Sequence, residues 1–256
     1  MTSHRDISPS LQDISVSRAR LCDQVITQLQ NLILDGHLRP GDRLPPEREL
    51  ADQLGVSRTV IREAFKALEE KGLVYTLTGS GTYIAKADGQ LVSESIHFLM
   101  RQGGSSFEHL FELRRVLEVE IAGLAAERRT DEDLAALEQT IRDMEEPLVK
   151  MKEEPANFRA LVEQHIAADL AFHQHLAAAT QNPLFQLILA PISDQLLDFR
   201  LRQALGLPQA MEDGLRDHQA LLQNVKARRV DECRQGMREH LEHAERQWYL
   251  AQEGSK

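Results

Sequence analysis

The chain has 256 residues, 42% of them hydrophobic and 27% charged, which is enough apolar material for a sizeable core and enough length for two domains. Thirty Lys and Arg stand against 40 Asp and Glu, and the resulting net charge of −10 excludes a broadly basic, sequence-indifferent nucleic-acid binder. Two cysteines, Cys22 and Cys233, lie far apart and outside any C-x-x-C pattern, which excludes a disulfide framework and a thiolate zinc site and points to a reducing cytoplasm.

Residues 1–17 mix Ser, Asp, His and Arg without the apolar run of a signal peptide, and read as a flexible tail. No later stretch is apolar for long enough to span a bilayer, so a soluble protein is expected. Residues 18–35 form the first clear helix, with Leu21, Val25, Ile26, Leu29, Leu32 and Ile33 on one stripe and Asp35-Gly36 ending it. Arg39-Pro40-Gly41-Asp42 is a turn, after which Arg43-Leu44 could add a minimal strand.

The stretch from Leu44 to Ile84 organises the rest. Pro45-Pro46 is a helix start signal, with Pro46 suited to a first turn because no amide hydrogen is needed there. A short helix, Glu47 to Leu54, ends at Gly55, which can take a positive φ at no steric cost. Ser57 caps a second helix whose Val60, Ile61, Ala64, Phe65 and Leu68 face inward, leaving Arg58, Thr59 and Arg62 near its start on another side. After Gly72, residues 73–77 and 82–84 read as two strands around a Thr78-Gly79-Ser80-Gly81 tip. This is a winged helix-turn-helix, whose second helix can enter a major groove N-terminus first. The same hairpins could serve protein contacts alone.

The run PPERELADQLGVSRTVIREAFKALEEKGLV with the later GSGTYI resembles the DNA-binding domain of the GntR family of bacterial transcription regulators, over about Ala19 to Ile84. The resemblance implies that Arg48, Arg58 and Arg62 contact phosphates or base edges, with Thr59 beside them and Gly79 at the minor groove. In one place the chain departs from the pattern: family wings often carry Arg or another polar donor before the glycines, where this chain has Leu77 and Thr78.

Charge is unevenly spread, with 10 Lys and Arg against 11 Asp and Glu in residues 1–85, leaving 20 against 29 in residues 86–256. The acid belongs to a second domain, for which 86–90 is the expected linker because it holds Gly89 and no apolar pattern. Residues 91–251 read as helices throughout, an antiparallel bundle of about six to seven, with 252–256 as a tail. Expected members are 91–102, Phe107 to Arg128, and a helix capped by Thr130 ahead of Asp131-Glu132-Asp133. A partner then runs from near Asn157 to about Thr180. Asn182-Pro183 opens another, Gly206 and Pro208 close the long helix after it, and two more cover about 212–227 and 230–251.

Four polar residues fall on the apolar faces of these helices. Asp169 and His173, four apart, share a side with Ile166, Leu170 and Leu176; His218 lies between Leu215 and Leu221; His240 follows Met237 and precedes Ala244. Each would point inward, where an unpaired polar group costs about 1–3 kcal/mol. One divalent metal would satisfy all four, since imidazoles and a carboxylate from facing helices can converge in a bundle core. The alternative is four separately hydrogen-bonded core residues. Arg114 likewise falls on an apolar stripe, where a guanidinium requires an anionic partner such as Glu118 one turn on.

The pattern D-L-A-F-H, D-H-Q-A-L and M-R-E-H-L is similar to the helical FCD ligand-binding domain of FadR-type GntR regulators. In metal-binding members the matching positions are Asp169, His173, His218 and His240, implying a divalent ion, zinc first, with nickel or manganese also suited. The fatty-acyl-sensing member lacks this set, which argues against an acyl-CoA effector. His165 has no place in the motif, and His175 and His243 read as solvated or structural. The motif R-x-x-L-E matches Arg114 to Glu118 and implies that Arg114 helps hold an effector carboxylate.

The chain is therefore expected to be a one-component regulator, a repressor acting as a homodimer on a palindromic double-stranded operator. Its effector would be a small hydroxy or sugar acid such as lactate. A metal-dependent hydrolase or lyase carrying a DNA-binding domain is the rival reading, since three histidines and an aspartate with open coordination could activate water. Against it, no separate general base stands out.

Overall fold

The computed structural model describes residues 9–86, 89–104 and 106–253. Positions 87 and 88 of the expected linker, and 1–8 and 254–256 of the expected tails, lie outside the described residues. The chain divides into two compact units, with the division between Leu91 and Val92.

In the first unit, α1 (Pro9–Leu34) begins nine residues before the expected start at residue 18. Proline is tolerated at a helix start, and in residues 9–17 only Leu11 and Ile14 stand at helical spacing before Arg18 interrupts the row, too short a signal by which to recognise the extension. Val25, Ile26 and Leu29 are buried as expected, whereas Leu21 and Leu32 are exposed at the margins of the stripe. α2 (Glu47–Leu54) stops at Gly55, whose φ of 66° lets its N–H reach the Ala51 carbonyl. Pro46 stands as the extended residue before α2 rather than inside its first turn. Ser57 Oγ accepts from the Val60 N–H at 3.3 Å and caps α3 (Arg58–Glu70).

β1 (Val74–Leu77) and β2 (Gly81–Ile84) pair antiparallel, in the register Val74 opposite Ile84 and Leu77 opposite Gly81. Arg43 adds a bridge to Tyr83, and the Leu44 N–H reaches the Thr82 carbonyl at 2.8 Å, giving the minimal third strand. Ile61, Leu68, Val74 and Ile84, each 0–2% exposed, anchor the core that joins wing to helices. Burying a side chain of this size contributes about 1.5–3 kcal/mol.

From Gln90 onward the described residues hold eight helices, one for each expected member although the expected total is about six to seven: α4 (Gln90–Arg101), which starts two residues before the division, α5 (Phe107–Arg128), α6 (Asp131–Glu153), α7 (Phe158–Ala179), α8 (Pro183–Asp194), α9 (Leu197–Gly206), α10 (Gln209–Lys226) and α11 (Val230–Glu253). Thr130 Oγ1 accepts from the Asp133 N–H at 3.1 Å while Asp133 accepts from the Thr130 N–H at 2.9 Å, a reciprocal cap for α6. Asn182 caps α8 through the Leu184 N–H. The helix after α8 is short, because α8 itself runs on to Asp194. α8 continues through Pro191, and the chain breaks at Gln195–Leu196 before α9. α5, α6, α7, α10 and α11 enclose a core containing Ile121, Leu137, Met144, Phe172, Leu176, Val225 and Met237. No helix among the described residues is long and apolar enough to cross a membrane.

Candidate functional site

Two sites emerge, one in each unit. In the first, Arg58 and Thr59 open α3 and are exposed, as are Arg48 on α2, Arg62 one turn further along α3, and Gly79 at the wing tip with φ 78°. Arg62 is the exception to a free donor: its Nε and Nη2 donate to the two Glu47 carboxylate oxygens at 3.3 and 3.0 Å. A phosphate would have to compete with that pair.

The structure supplies a wing cation that linear reading missed. The β-bridge lays Arg43 along the wing so that its Nε stands 2.9 Å from where a Cβ on Gly81 would be. Gly81 is favoured by its φ of 131°, which side-chain-bearing residues rarely adopt. Although Leu77 and Thr78 precede the glycines, an arginine therefore lies against the tip. It comes from a strand some forty residues earlier.

The second site is built on α5, α7, α9, α10 and α11. His165, Asp169 and His173 follow one another at four-residue spacing along one face of α7, and His218 and His240 approach from α10 and α11. His173, His218 and His240 are all buried, and each offers a nitrogen within 4.8 Å of the other two. His173 Nε2 and His218 Nε2 are 3.3 Å apart. Two nitrogens bound about 2.0–2.1 Å from one tetrahedral ion stand roughly 3.3 Å from each other, so this separation suits a shared metal.

The outer edges of the three rings meet carboxylates. Glu118 Oε2 is 2.5 Å from His173 Nδ1, Asp169 Oδ1 is 3.6 Å from His218 Nδ1, and Asp217 Oδ2 is 3.5 Å from His240 Nδ1. Both nitrogens of His240 and the Nδ1 atoms of His173 and His218 are buried without a well-formed hydrogen bond. Imidazoles backed by carboxylates on the outer side are the usual arrangement of a histidine-bound metal, which here would leave the Nε2 atoms of His173 and His218 facing the ion.

Burial dominates the electrostatics. It pushes the His218 imidazole well below its ordinary range and His240 down to about 4, with neighbouring imidazoles adding to the effect. Both are thus held neutral, the form that binds a metal. Burial alone would raise Glu118, but Arg114 and His173 outweigh it and hold its carboxyl well below the carboxylate range. Cys233 is pushed up to about 12 by burial, which keeps its thiol inert.

Asp169 lies beside the three histidines rather than within the tight group, because its Oδ2 is engaged by Arg200 from α9. Arg114 is 1% exposed, its Nε pairs with Glu118 Oε1, and its Nη2 has no hydrogen-bond partner. Arg114, Asp169, Arg200, His165 and His240 line one cavity of about 80 Å³, with Phe111, Leu196, Phe199 and Met211 among its apolar walls. His165 Nδ1 donates to the Met144 carbonyl at 2.9 Å, which satisfies it independently of the other histidines. His243 is exposed and lies 3.1 Å from Asp217.

The family model described as "FCD domain" matches residues 109–243, and that described as "Bacterial regulatory proteins, gntR family" matches residues 21–84. The chain belongs to the gntR family. It is a DNA-binding transcription regulator with an FCD effector-binding domain, not an enzyme. Among relatives of this GntR regulator, the HTH-type transcriptional regulator LutR of Bacillus subtilis is 34% identical over 65% of this chain and 71% of its own. The Uxu operon regulator of Haemophilus influenzae is 31% identical over 84% and 76%, and the HTH-type transcriptional repressor NanR of an Enterobacter species 28% over 99% and 95%. The solved structure of a Streptococcus agalactiae GntR protein superposes with a TM-score of 0.69 at 28% identity, covering 88% of this chain and 99% of that one.

Arg200 is the residue in this GntR regulator's cavity that sequence reading left out. The signal was available: Arg200 lies four after Leu196 and four before Ala204, both buried, the same guanidinium on an apolar stripe that singled out Arg114.

Proposed function

We propose that this regulator is a repressor, in which two copies of the chain grip a palindromic operator and a small organic acid held at a divalent metal in the C-terminal unit loosens that grip. The observation that carries the sensing half is the convergence of three buried imidazoles, with both nitrogens of His240 unpartnered and the Nε2 atoms of His173 and His218 meeting only each other. His173, His218 and His240 would hold the ion, with the Asp169 carboxylate as a fourth donor. Zinc suits this set best, and nickel or manganese would also be accepted. When bound, the metal supplies a Lewis-acidic anchor for a carboxylate and an adjacent hydroxyl. Arg114 neutralises the charge of the acid from the cavity wall, Glu118 and Asp217 orient His173 and His240, and the apolar walls exclude water.

On the DNA side, Arg58 and Thr59 enter the major groove at the start of α3, Arg48 and Arg62 take phosphates or base edges, and Gly79 with the neighbouring Arg43 serves the minor groove. That NanR, 28% identical along nearly the whole chain, is named a repressor supports the sign of regulation. Effector control requires a difference in affinity between two arrangements of the dimer, one fitting both half-sites and one not.

The experiment combines elemental analysis of purified protein with fluorescence anisotropy on DNA from upstream of its own gene. One metal per chain and operator affinity reduced at least tenfold by a small hydroxy or sugar acid are expected. Absence of metal, or an operator affinity indifferent to a bound acid, would overturn the reading.

A further inference from the structure

The ion pair that occupies Arg62 ties together the two helices of the reading head. Glu47 is the first residue of α2, and Arg62 lies one turn into α3. Two hydrogen bonds join them side by side, from Arg62 Nε to Glu47 Oε1 at 3.3 Å and from Arg62 Nη2 to Glu47 Oε2 at 3.0 Å. The two side chains are 67% and 30% exposed, so the pair is solvated and adds little to stability. What a two-point grip does fix is direction, because the guanidinium is a flat, rigid fork. Glu47 takes the edge made by Nε and one hydrogen of Nη2. The end-on edge, with one hydrogen each from Nη1 and Nη2, has no partner among the described residues.

Two parallel N–H groups at that end match the O6 and N7 acceptors that guanine presents in the major groove. A phosphate would fit the same fork, but charge separates the two ligands. With Glu47 bound along its side, the guanidinium is already neutralised, and a phosphate received end-on would face a second anion across the same planar group. A guanine edge carries acceptors and no net charge, so Glu47 does not oppose it. Arg58, at the first position of α3, has no carboxylate partner among the described residues and keeps its charge undivided for the DNA backbone.

We infer that Arg62 reads a guanine in each operator half-site and that Glu47 is its positioning residue, turning the guanidinium end-on to the base and away from the phosphates. This rests on the reading-head assignment proposed above and deepens it, since Arg62 is there left between phosphates and base edges. Glu47 then acts on sequence discrimination without touching DNA itself.

The test is selection by full-length protein from a randomised duplex library, with sequencing of the bound fraction, followed by anisotropy titrations on the selected site at several salt concentrations. Wild type is expected to select guanine at one position in each half-site. Arg62→Ala should lose about tenfold of the discrimination at that position, keep the preferences at all others, and leave the slope of log affinity against log salt unchanged. Glu47→Ala should relax the same position and no other. Glu47→Gln, which retains one acceptor oxygen, should relax it by a smaller factor, and carries the test if the alanine variant does not fold. Uniform weakening across all sequences by Arg62→Ala, with the slope flattened by about 0.9, would put Arg62 on a phosphate and overturn the inference. So would Glu47 variants whose sequence preferences match those of wild type, whether or not they bind DNA more tightly. Failure of wild type to enrich any sequence would overturn the reading-head assignments beneath the inference as well.

Discussion

The buried imidazoles make the metal-free protein acid-labile in a way that one substitution can isolate. His240 is 5% exposed and its imidazole is lowered from 6.5 to about 4. A base whose folded pKa lies below its unfolded value takes up its proton first in the unfolded state. The stabilising contribution of neutral His240 is therefore complete above about pH 6.5 and is lost as pH falls from there toward 4. At pH 5 the unfolded imidazole is almost fully protonated and the folded one largely not, a difference worth about 2 kcal/mol from this residue alone. For a chain of this size that corresponds to a fall in Tm of roughly 4–8 °C. The assay is a set of urea or thermal melts in chelator at pH 7.5 and 5.0, on wild type and on His240→Phe, which keeps an apolar ring in the site but cannot titrate. The variant should lose about 2 kcal/mol less than wild type between the two pH values, with His218 accounting for much of what remains. Equal losses in the two proteins would refute the reasoning.

Three further outcomes follow from the packing and the charges. Arg114→Ala leaves the Glu118 carboxylate buried with only His173 beside it, and should cost about 3–5 kcal/mol in urea denaturation. Removing Glu118 as well should recover part of that loss, which a double-mutant cycle would read out. Leu68→Ala, at a side chain 0% exposed on the inward face of the reading helix α3, should destabilise the first unit by about 2–5 kcal/mol, measured by its melting transition. Arg58→Ala and Arg43→Ala should each flatten the slope of log affinity against log salt by about 0.9 if the residue meets a phosphate, as measured by operator titrations at several salt concentrations.

Much of the reading head was legible because its signals are local. Gly55 at positive φ, Ser57 as a cap and five inward-facing apolar residues on α3 are each determined within one or two helical turns, and the structure shows them where the residue types require. The same holds for the Thr130 and Asn182 caps. Elements without such marks were harder to place. The first turns of α1 hold only Leu11 and Ile14 at helical spacing before Arg18 interrupts the row, and no residue type marks the break between α8 and α9.

For the site, the sequence by itself determined which polar groups face inward, since helical periodicity dictates the face on which His173, His218, His240 and Arg114 fall. Partnership is a different matter, because it depends on how helices far apart in sequence are rotated and spaced against one another. Only the tertiary structure decided that three of the imidazoles converge, that Asp169 turns toward Arg200, that Glu118 stands between Arg114 and His173, and that Arg43 lies on the wing beside Gly81. A residue's own neighbours in the chain fix its direction. What it meets there is fixed by packing.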